Sequence, residues 1–380
     1  MTQKKRTERR TRHDSERKSA DVAGHRRIVS KEVRGYDRRQ IVSVICRYHC
    51  KGYTVRQMCD ALARVFPHVE FKREDFYEHI RYAAKRNWLH FRPPRHLRLA
   101  DQIRDNYTYL KSVRVVHTAV LRDVAQHAAR TLIGLLQTYR RKWNRDEVHI
   151  GFAGGHSMRA LARAFADELC EPAKDLPRNV VFHALASGFD NTDPTTNPNA
   201  FFTYFMYKPM LQIKPHFLGL SAPAIVTPDL LRLLKKLPDI KAAYASAKSI
   251  DIVVTSGSQW SDEDSALRKR VQRSSQCMET LEKEQCVGDI LWRPLSDRGP
   301  IEAETEYRAL TLIELGQLPA IIRGDAHVLL MLGPCGNCHV PKGRLLRCVL
   351  EQKRPLITDL VVDSGSASQL TFPQMGGYEH

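Results

Sequence analysis

A chain of 380 residues with 42% hydrophobic and 8% aromatic content is long enough for two domains with substantial cores, and no run of 18 apolar residues offers a membrane span. Its opening "MTQKKRTERRTRH" lacks the apolar segment of a secretory signal, and nine cysteines without the spacing of a small secreted framework read as reduced thiols, so a cytoplasmic setting is expected. The formal net charge of +18 is unevenly placed: residues 1–40 hold 14 Lys and Arg against 6 Asp and Glu, residues 41–100 hold 12 against 5, and the rest is nearly neutral. A chain so divided predicts a polyanion-binding module joined to something else.

Residues 1–35 carry few large apolar side chains and cannot offset the entropy of ordering, so a disordered basic tail is expected. From Arg38, "RRQIVSVICRYH" sets Ile41, Val44, Ile45 and Tyr48 on one helical face, and a turn follows at Lys51-Gly52-Tyr53. In "TVRQMCDALARVF", Thr54 and Gln57 have capping-box spacing, while Val55, Met58, Leu62 and Val65 form the apolar stripe. Beyond Pro67, "KREDFYEHIRYAAKRNWLHF" predicts a third helix from about Lys72 to Arg86 and a short strand at Trp88 to Phe91. Residues 36–95 therefore suit a winged helix-turn-helix that binds duplex DNA, with Thr54, Arg56, Gln57, Lys72, Arg73, Tyr77 and Arg81 as candidate contacts, although the same three-helix pattern also serves structural subdomains and the same charge a solvated basic surface.

After Pro93-Pro94 the period changes. "LADQIRDNYTYL" predicts a helix, "SVRVVHTAV" a strand, "LRDVAQHAARTLIGLLQTYRR" a helix and "EVHIGFAGG" a strand running into a turn. Further apolar strands are expected at "NVVFHAL", "IDIVVTSGS", "HVLLML" and "RPLITDLVV". Such alternation over residues 96–375 predicts an α/β domain with a doubly wound, mostly parallel sheet, whose binding site lies at the C-terminal strand ends.

Four turns follow strand ends: "GFAGGHS" at 151–157, "ASGFDN" at 186–191, "TSGSQW" at 255–260 and "LGPCGNCHVPK" at 332–342. The first passes directly into an amphipathic helix. A phosphate there would find the amides of Gly155, His156 and Ser157, the Ser157 hydroxyl and, if the fold brings it close, the Lys342 ammonium. The stretch fits neither G-x-x-x-x-G-K-[ST] nor G-x-G-x-x-G, which disfavours nucleoside triphosphates and dinucleotides. The same glycines equally suit tight strand-to-helix packing.

Several motifs in order resemble the SorC/DeoR-type sugar-binding transcriptional regulators, from about Arg38 to Leu370. They are the helix-turn-helix, "LADQIRDNYTYLKSVRVVH", "VHIGFAGGHSMRALARAF", "LSAPAIVTPDLLRLLKKLPDIKAAYASAKSIDIVVTSG", "CVGDILWRPLSDRG" and "KGRLLRCVLEQKRPLITDL". The resemblance implies an N-terminal domain on operator DNA and a C-terminal domain with a fold related to sugar-phosphate isomerases. It further implies a phosphorylated sugar as effector, no other cofactor, and a homo-oligomer, dimer or tetramer. On this sequence the family's phosphate turn falls at Gly154, Gly155, His156 and Ser157, and its second sugar loop near Ser187, Gly188 and Asn197. Arg268 or Arg270 would meet a second phosphate or the sugar, Asp289 would accept from sugar hydroxyls, and Lys342 opens the next-to-last helix. Three departures stand out: His156 replaces a small hydroxyl residue, Ser187 stands where some members place arginine, and "CGNCHVP" lengthens the loop before Lys342.

Two rival chemistries have residues of the right type. Cys335-Gly-Asn-Cys338-His339 reads as half a zinc site or a redox pair, but no second C-x-x-C exists, so an ordinary loop without metal is expected. Asp289, Asp190, His183 and His156 would suit acid–base work in an isomerase- or deaminase-like enzyme with an accessory nucleic-acid-binding domain. No nucleophile–base pair can be placed, so no catalytic residue is assigned. A third alternative is a basic DNA-associated protein whose sugar pocket has decayed.

Overall fold

The computed structural model describes residues 32–33, 35–50, 52–86, 88, 93–188, 193–303, 305–324, 326–336 and 338–370. The chain divides into two compact units, Met1–Arg92 and Pro93–His380.

In the first unit a hairpin of β1 (Glu32–Val33) and β2 (Tyr36–Asp37) leads into α1 (Arg38–Cys50), α2 (Val55–Val65) and α3 (Arg73–Lys85). Thr54 caps α2 reciprocally: Gln57 N–H donates to its hydroxyl and Gln57 Oε1 accepts from its amide. Ile41, Ile45, Met58, Leu62, Phe66 and Phe76 form one small core. Val65 departs from the predicted stripe, being 46% exposed. The helix stops there, and Phe66, at φ −126°, leaves the helical period and turns inward in its place. The α2–α3 connection spans 66–72, longer than the three- or four-residue turn of a compact helix-turn-helix. Of the predicted strand at 88–91, Trp88 lies in no strand and packs edge-on against Tyr82 at 5.3 Å; residues 89–91, like residues 1–31 of the tail, lie outside the described residues.

The second unit runs α4 (Leu97–Asn106), β3 (Ser112–Val116), α5 (Leu121–Trp143), β4 (Glu147–Phe152), α6 (His156–Glu168), β5 (Asn179–Ala184), α7 (Pro198–Met206) and β6 (Lys214–Leu218). It continues through β7 (Ile225–Val226), α8 (Pro228–Leu234), α9 (Pro238–Ser246), β8 (Ile252–Thr255), β9 (Gly257–Gln259), α10 (Ala266–Val271), α11 (Ser275–Lys283), β10 (Gly288–Ile290) and β11 (Arg293–Ser296). It closes with β12 (Gly299–Pro300), β13 (Arg308–Ala309), α12 (Leu318–Arg323), β14 (His327–Leu332), α13 (Gly343–Leu350), β15 (Asp359–Asp363) and α14 (Ser364–Ser368).

Seven strands make one sheet in the order β3-β15-β14-β8-β4-β5-β6, and every pairing in it is parallel. Strands β8, β14 and β15 are buried along their whole length, which is why "HVLLML" reads as an unbroken apolar run. From β4 the order advances through β5 to β6, and from β8 it advances the opposite way through β14 to β15. With right-handed crossovers the two sets of connecting helices lie on opposite faces, and the reversal falls between β4 and β8. Not among the expected strands were β6 at the sheet edge, the pairs β1-β2 and β13-β7, and strands β10 to β12 of the four-stranded antiparallel sheet β12-β11-β10-β9; the expected strand at 250–258 is instead split into β8 and β9.

Candidate functional site

The sheet reversal opens a crevice at the C-terminal ends of β4 and β8, where the two backbones are joined by Ala153 N–H donating to Val254 O at 3.0 Å. The glycine turn leaves β4 here. Gly155 is the N-cap of α6 with φ +105°, a conformation that only glycine adopts without strain. A Cβ on Gly154 would lie 2.3 Å from the Trp292 ring and 3.0 Å from Thr196 O, so close approach of two loops demands glycine there. The Gly155 amide donates to Thr196 O at 2.9 Å, which removes it from the anion donors named above. The donors left at this helix start are the amides of His156, Ser157 and Met158, which have no intrahelical acceptor. Ser157 is half-buried and His156 exposed.

The loop before α7 is clamped onto this turn. Arg159 Nη1 donates to Thr195 Oγ1 and lies 3.6 Å from Asp193 Oδ2, while His156 Nδ1 lies 3.7 Å from the same oxygen. The side-chain hydrogen bond from Thr195, with smaller help from Arg159 and His156, holds the Asp193 carboxyl below its ordinary range. Asn197 is committed to the same loop: its Nδ2 donates to Ser187 O at 2.6 Å and its Oδ1 accepts from Asn199 N–H at 2.9 Å. It therefore positions the backbone around Ser187 instead of presenting an amide to solvent. Ser187 is the polar group that the loop leaves over, its hydroxyl buried without a hydrogen-bond partner.

A second cluster sits at the end of β8. Asp289, paired with Ser258 across β10 and β9, accepts from the Ser258 hydroxyl, and Ser258 Oγ lies 2.8 Å from Ser265 Oγ. Burial drives the Asp289 carboxyl up to about 6, with the Ser258 hydrogen bond and the Lys342 charge opposing. Lys342 is itself buried and its ammonium donates to Gly257 O at 2.8 Å, so it neutralises this cluster from beneath. Burial lowers its pKa against the pull of Asp262, Cys335, Asp289 and Asp363.

Leu291 and Trp292 join β10 to β11 with φ +55° at both positions, the conformation of a type I′ turn, which Asn-Gly favours and bulky side chains resist. Leu291 N–H donates to Thr255 Oγ1 at 3.1 Å, and the turn drives the Trp292 indole onto Gly154. Strain of this kind persists only where surrounding contacts over-determine it. Trp292 was missed in the sequence, although it stands in the quoted "CVGDILWRPLSDRG"; its signal was a tryptophan three residues beyond a glycine-acid pair.

Arg268 and Arg270 diverge. Arg268 Nη1 donates to Trp260 O at 3.1 Å with its Nε buried and without a hydrogen-bond partner, whereas Arg270 is near enough to Tyr307 to act on its phenol. A cavity of about 490 Å³ lies on that side, lined by Trp292, Arg293, Tyr307, Arg308 and Glu314 among others. The three acid–base candidates among the described residues do not assemble. His183 is buried within the sheet beside His149, His156 is exposed, Asp289 is sealed by Ser258, and Asp190 lies outside the described residues.

In the first unit, Arg73, Tyr77 and Arg81 recur every four residues on α3 and all are exposed, Tyr77 at 52%, while Phe76, His79, Tyr82 and Ala83 form the buried face. Lys72 is exposed at the helix start, its amide held by Asp75 Oδ2 at 3.0 Å. Arg56 is exposed on α2, but Thr54 and Gln57 spend their side chains on each other.

A parallel α/β domain with helix-start amides at its switch point is the arrangement of a ligand-binding domain, and the chain carries a separate basic three-helix unit before it. The family model "Sugar-bind: Putative sugar-binding domain" matches residues 92–322, and the chain belongs to that family. None of the curated proteins matches it. Among solved structures it is similar to the full-length sorbitol operon regulator SorC from Klebsiella pneumoniae, with 16% identity over 88% of this chain and 98% of that one, at a TM-score of 0.64. It is also similar to a DeoR family transcriptional regulator from Listeria monocytogenes, with 21% identity, TM-score 0.52, 72% of this chain and 98% of that one. A transcriptional regulator from Streptococcus pneumoniae gives 17% identity, TM-score 0.53, 72% and 95%. These likenesses show the fold. Among the described residues no helix is long and apolar enough to cross a membrane.

Proposed function

We propose that this chain is a DNA-binding transcriptional regulator, not an enzyme, whose hold on operator DNA is set by a phosphorylated sugar. The observation that carries the reading is a sugar-binding family domain following a separate basic unit whose α3 presents Arg73, Tyr77 and Arg81 on one exposed face. The likeness to full-length SorC extends over 88% of the chain, beyond the family match at 92–322, and so supports pairing the two units in one regulator. The effector's phosphate is assigned to the amides of His156, Ser157 and Met158 and the Ser157 hydroxyl at the positive end of α6. Ser187 and the Nε of Arg268 face the sugar, with Asp289 acting through the Ser258 hydroxyl that covers it and Lys342 supplying charge from below. Gly154, Gly155 and Asn197 shape the cradle. The working form is a homo-oligomer in the cytoplasm, and no cofactor other than the effector takes part.

Effector and DNA are coupled only if the effector binds the DNA-competent and DNA-incompetent states with different affinity. The test is a thermal-shift screen of the full chain against sugar phosphates, followed by DNA-binding titrations with and without each hit. A sugar phosphate that raises Tm and shifts the DNA affinity without being consumed supports the reading. Turnover of that compound by the pure protein would overturn it in favour of an isomerase-like enzyme.

A further inference from the structure

The loop that lengthens the chain before α13 was set aside above for want of further ligands. The fold supplies one. The side-chain donor atoms of Asp262, Cys335 and Cys338 all lie within 4.8 Å of one another, although Asp262 belongs to the β9–α10 loop and the cysteines to the β14–α13 loop. Each loop is held in shape. Asp262 Oδ1 accepts from Asp264 N–H at 2.9 Å, which fixes the carboxylate and leaves its other oxygen directed elsewhere. The cysteine loop closes on itself through Cys335 N–H to Val340 O at 3.2 Å and His339 N–H to Cys335 O at 3.1 Å, with His339 at φ +56°. A ligating carboxylate that is itself hydrogen-bonded is the usual arrangement around bound metals.

We propose that Asp262, Cys335 and Cys338 form a three-ligand site for a thiophilic divalent cation, Zn²⁺, which ties the β9–α10 loop to the β14–α13 loop. Two thiolates and one carboxylate are the donor set that selects Zn²⁺ over Mg²⁺ or Ca²⁺, whose ligands are oxygens. A tetrahedral sphere with Zn–S near 2.3 Å asks for donor separations of about 3.5–3.8 Å. Closing the gap takes a movement of about 1 Å, which the exposed Cys338 can make by changing rotamer. Water completes the fourth position, since Cys338 opens the site to solvent. Binding forms two Zn–S bonds and one Zn–O bond, releases the two thiol protons to solvent and moves no electrons. The metal with its three anionic ligands then carries one net negative charge, and the buried Lys342 ammonium, in electrostatic reach of Asp262 and Cys335, balances it. The site shares Lys342 with the effector reading, but metal binding needs neither sugar nor DNA.

The test uses the full chain, stripped with a chelator and kept reduced, and titrated with Co²⁺ and then Zn²⁺. The wild type should show a thiolate-to-cobalt charge-transfer band that saturates at about one equivalent and is abolished by Zn²⁺. Cys338→Ser should lose the band, and because this residue is exposed the variant should melt as the parent does. Cys335→Ser should also lose it, with its melt measured because the side chain is buried. Asp262→Asn, which removes one anionic ligand, should keep thiolate ligation but weaken Zn²⁺ binding by at least about tenfold, the lower end of what loss of a mere supporting partner costs. The proposal is overturned if Cys338→Ser keeps the band and the stoichiometry. It is equally overturned if the wild type shows no band yet loses two thiols to a mild disulfide oxidant, which would mark Cys335 and Cys338 as a redox pair.

Discussion

Gly155 has open space where a Cβ would project, so a side chain there meets backbone strain and no clash; Gly154 has the reverse problem, with the Trp292 ring 2.3 Å from its absent Cβ. Gly155→Asp should therefore fold with a loss of about 1–3 kcal/mol. Its carboxylate would lie at the α6 N-terminus, at the place proposed for the effector's phosphate, and the thermal shift given by the effector should vanish while DNA binding persists. A full-sized shift in the folded variant would remove the phosphate from this turn. Gly154→Ala should lower stability by about 1–3 kcal/mol through overpacking, measured by denaturant unfolding. Acid acts on two other residues. Burial, then the charge of Arg38, lowers His79 to about 4, and burial, then His149, lowers His183 to about 4. In the unfolded chain both titrate near 6.5, so between about 6.5 and 4 the unfolded state binds more protons and stability falls with pH. The loss approaches about 3 kcal/mol for each histidine at the acid end of that window. Unfolding titrations at pH 7 and 4.5 check it: His183→Gln should flatten the dependence of the second unit and leave that of the first unchanged.

At the level of elements, α3 is the unit to break. Replacing both Arg73 and Arg81 by alanine leaves its buried face intact and removes two cations, so the slope of log K against log salt for DNA should fall by about 2. A double variant with an unchanged slope would place the DNA elsewhere, since Glu74 and Glu78 are exposed on the adjoining stripe and repel phosphate. The elements that were legible in the sequence are those whose burial is uniform or whose caps are local. The run at 327–332 became β14 residue for residue, and the Thr54–Gln57 cap marked the start of α2. Strand β6 escaped notice because "KPHFL" alternates between exposed and half-buried residues at a sheet edge and contains a proline. Strands β9 to β13 are two to four residues long, too short to show a period, and the Leu291–Trp292 turn between two of them contradicts turn propensity outright. The glycine turn could be found by its spacing, but the departure of the Gly155 amide to Thr196 could not, because the acceptor lies 41 residues on and is specified only by how the α7 loop folds back.

Over the whole molecule, the two units are built on different physical terms. The first has a small core around Ile41, Met58 and Phe66 and most of the charge; the second has an extensive core around a buried parallel sheet and is close to neutral. Deleting residues 1–31 should flatten the salt slope of DNA binding further while sequence preference stays, measured by titration on specific and scrambled duplexes. Assembly should involve the second unit, where Met206, Tyr207 and Met210 are 61%, 81% and 66% exposed around the chain segment that leads into edge strand β6. Tyr207→Glu should shift the particle toward monomer in light scattering, and an unchanged mass would place the interface elsewhere. The uneven charge has a further consequence. Copies of a neutral unit meet without Coulomb repulsion, and screening leaves their contact nearly untouched, whereas each added increment of salt weakens the basic unit's attraction to phosphate. Ionic strength thus becomes a control that reaches only one half of the chain: raising it should release the protein from DNA as an intact, effector-competent assembly and not as scattered subunits.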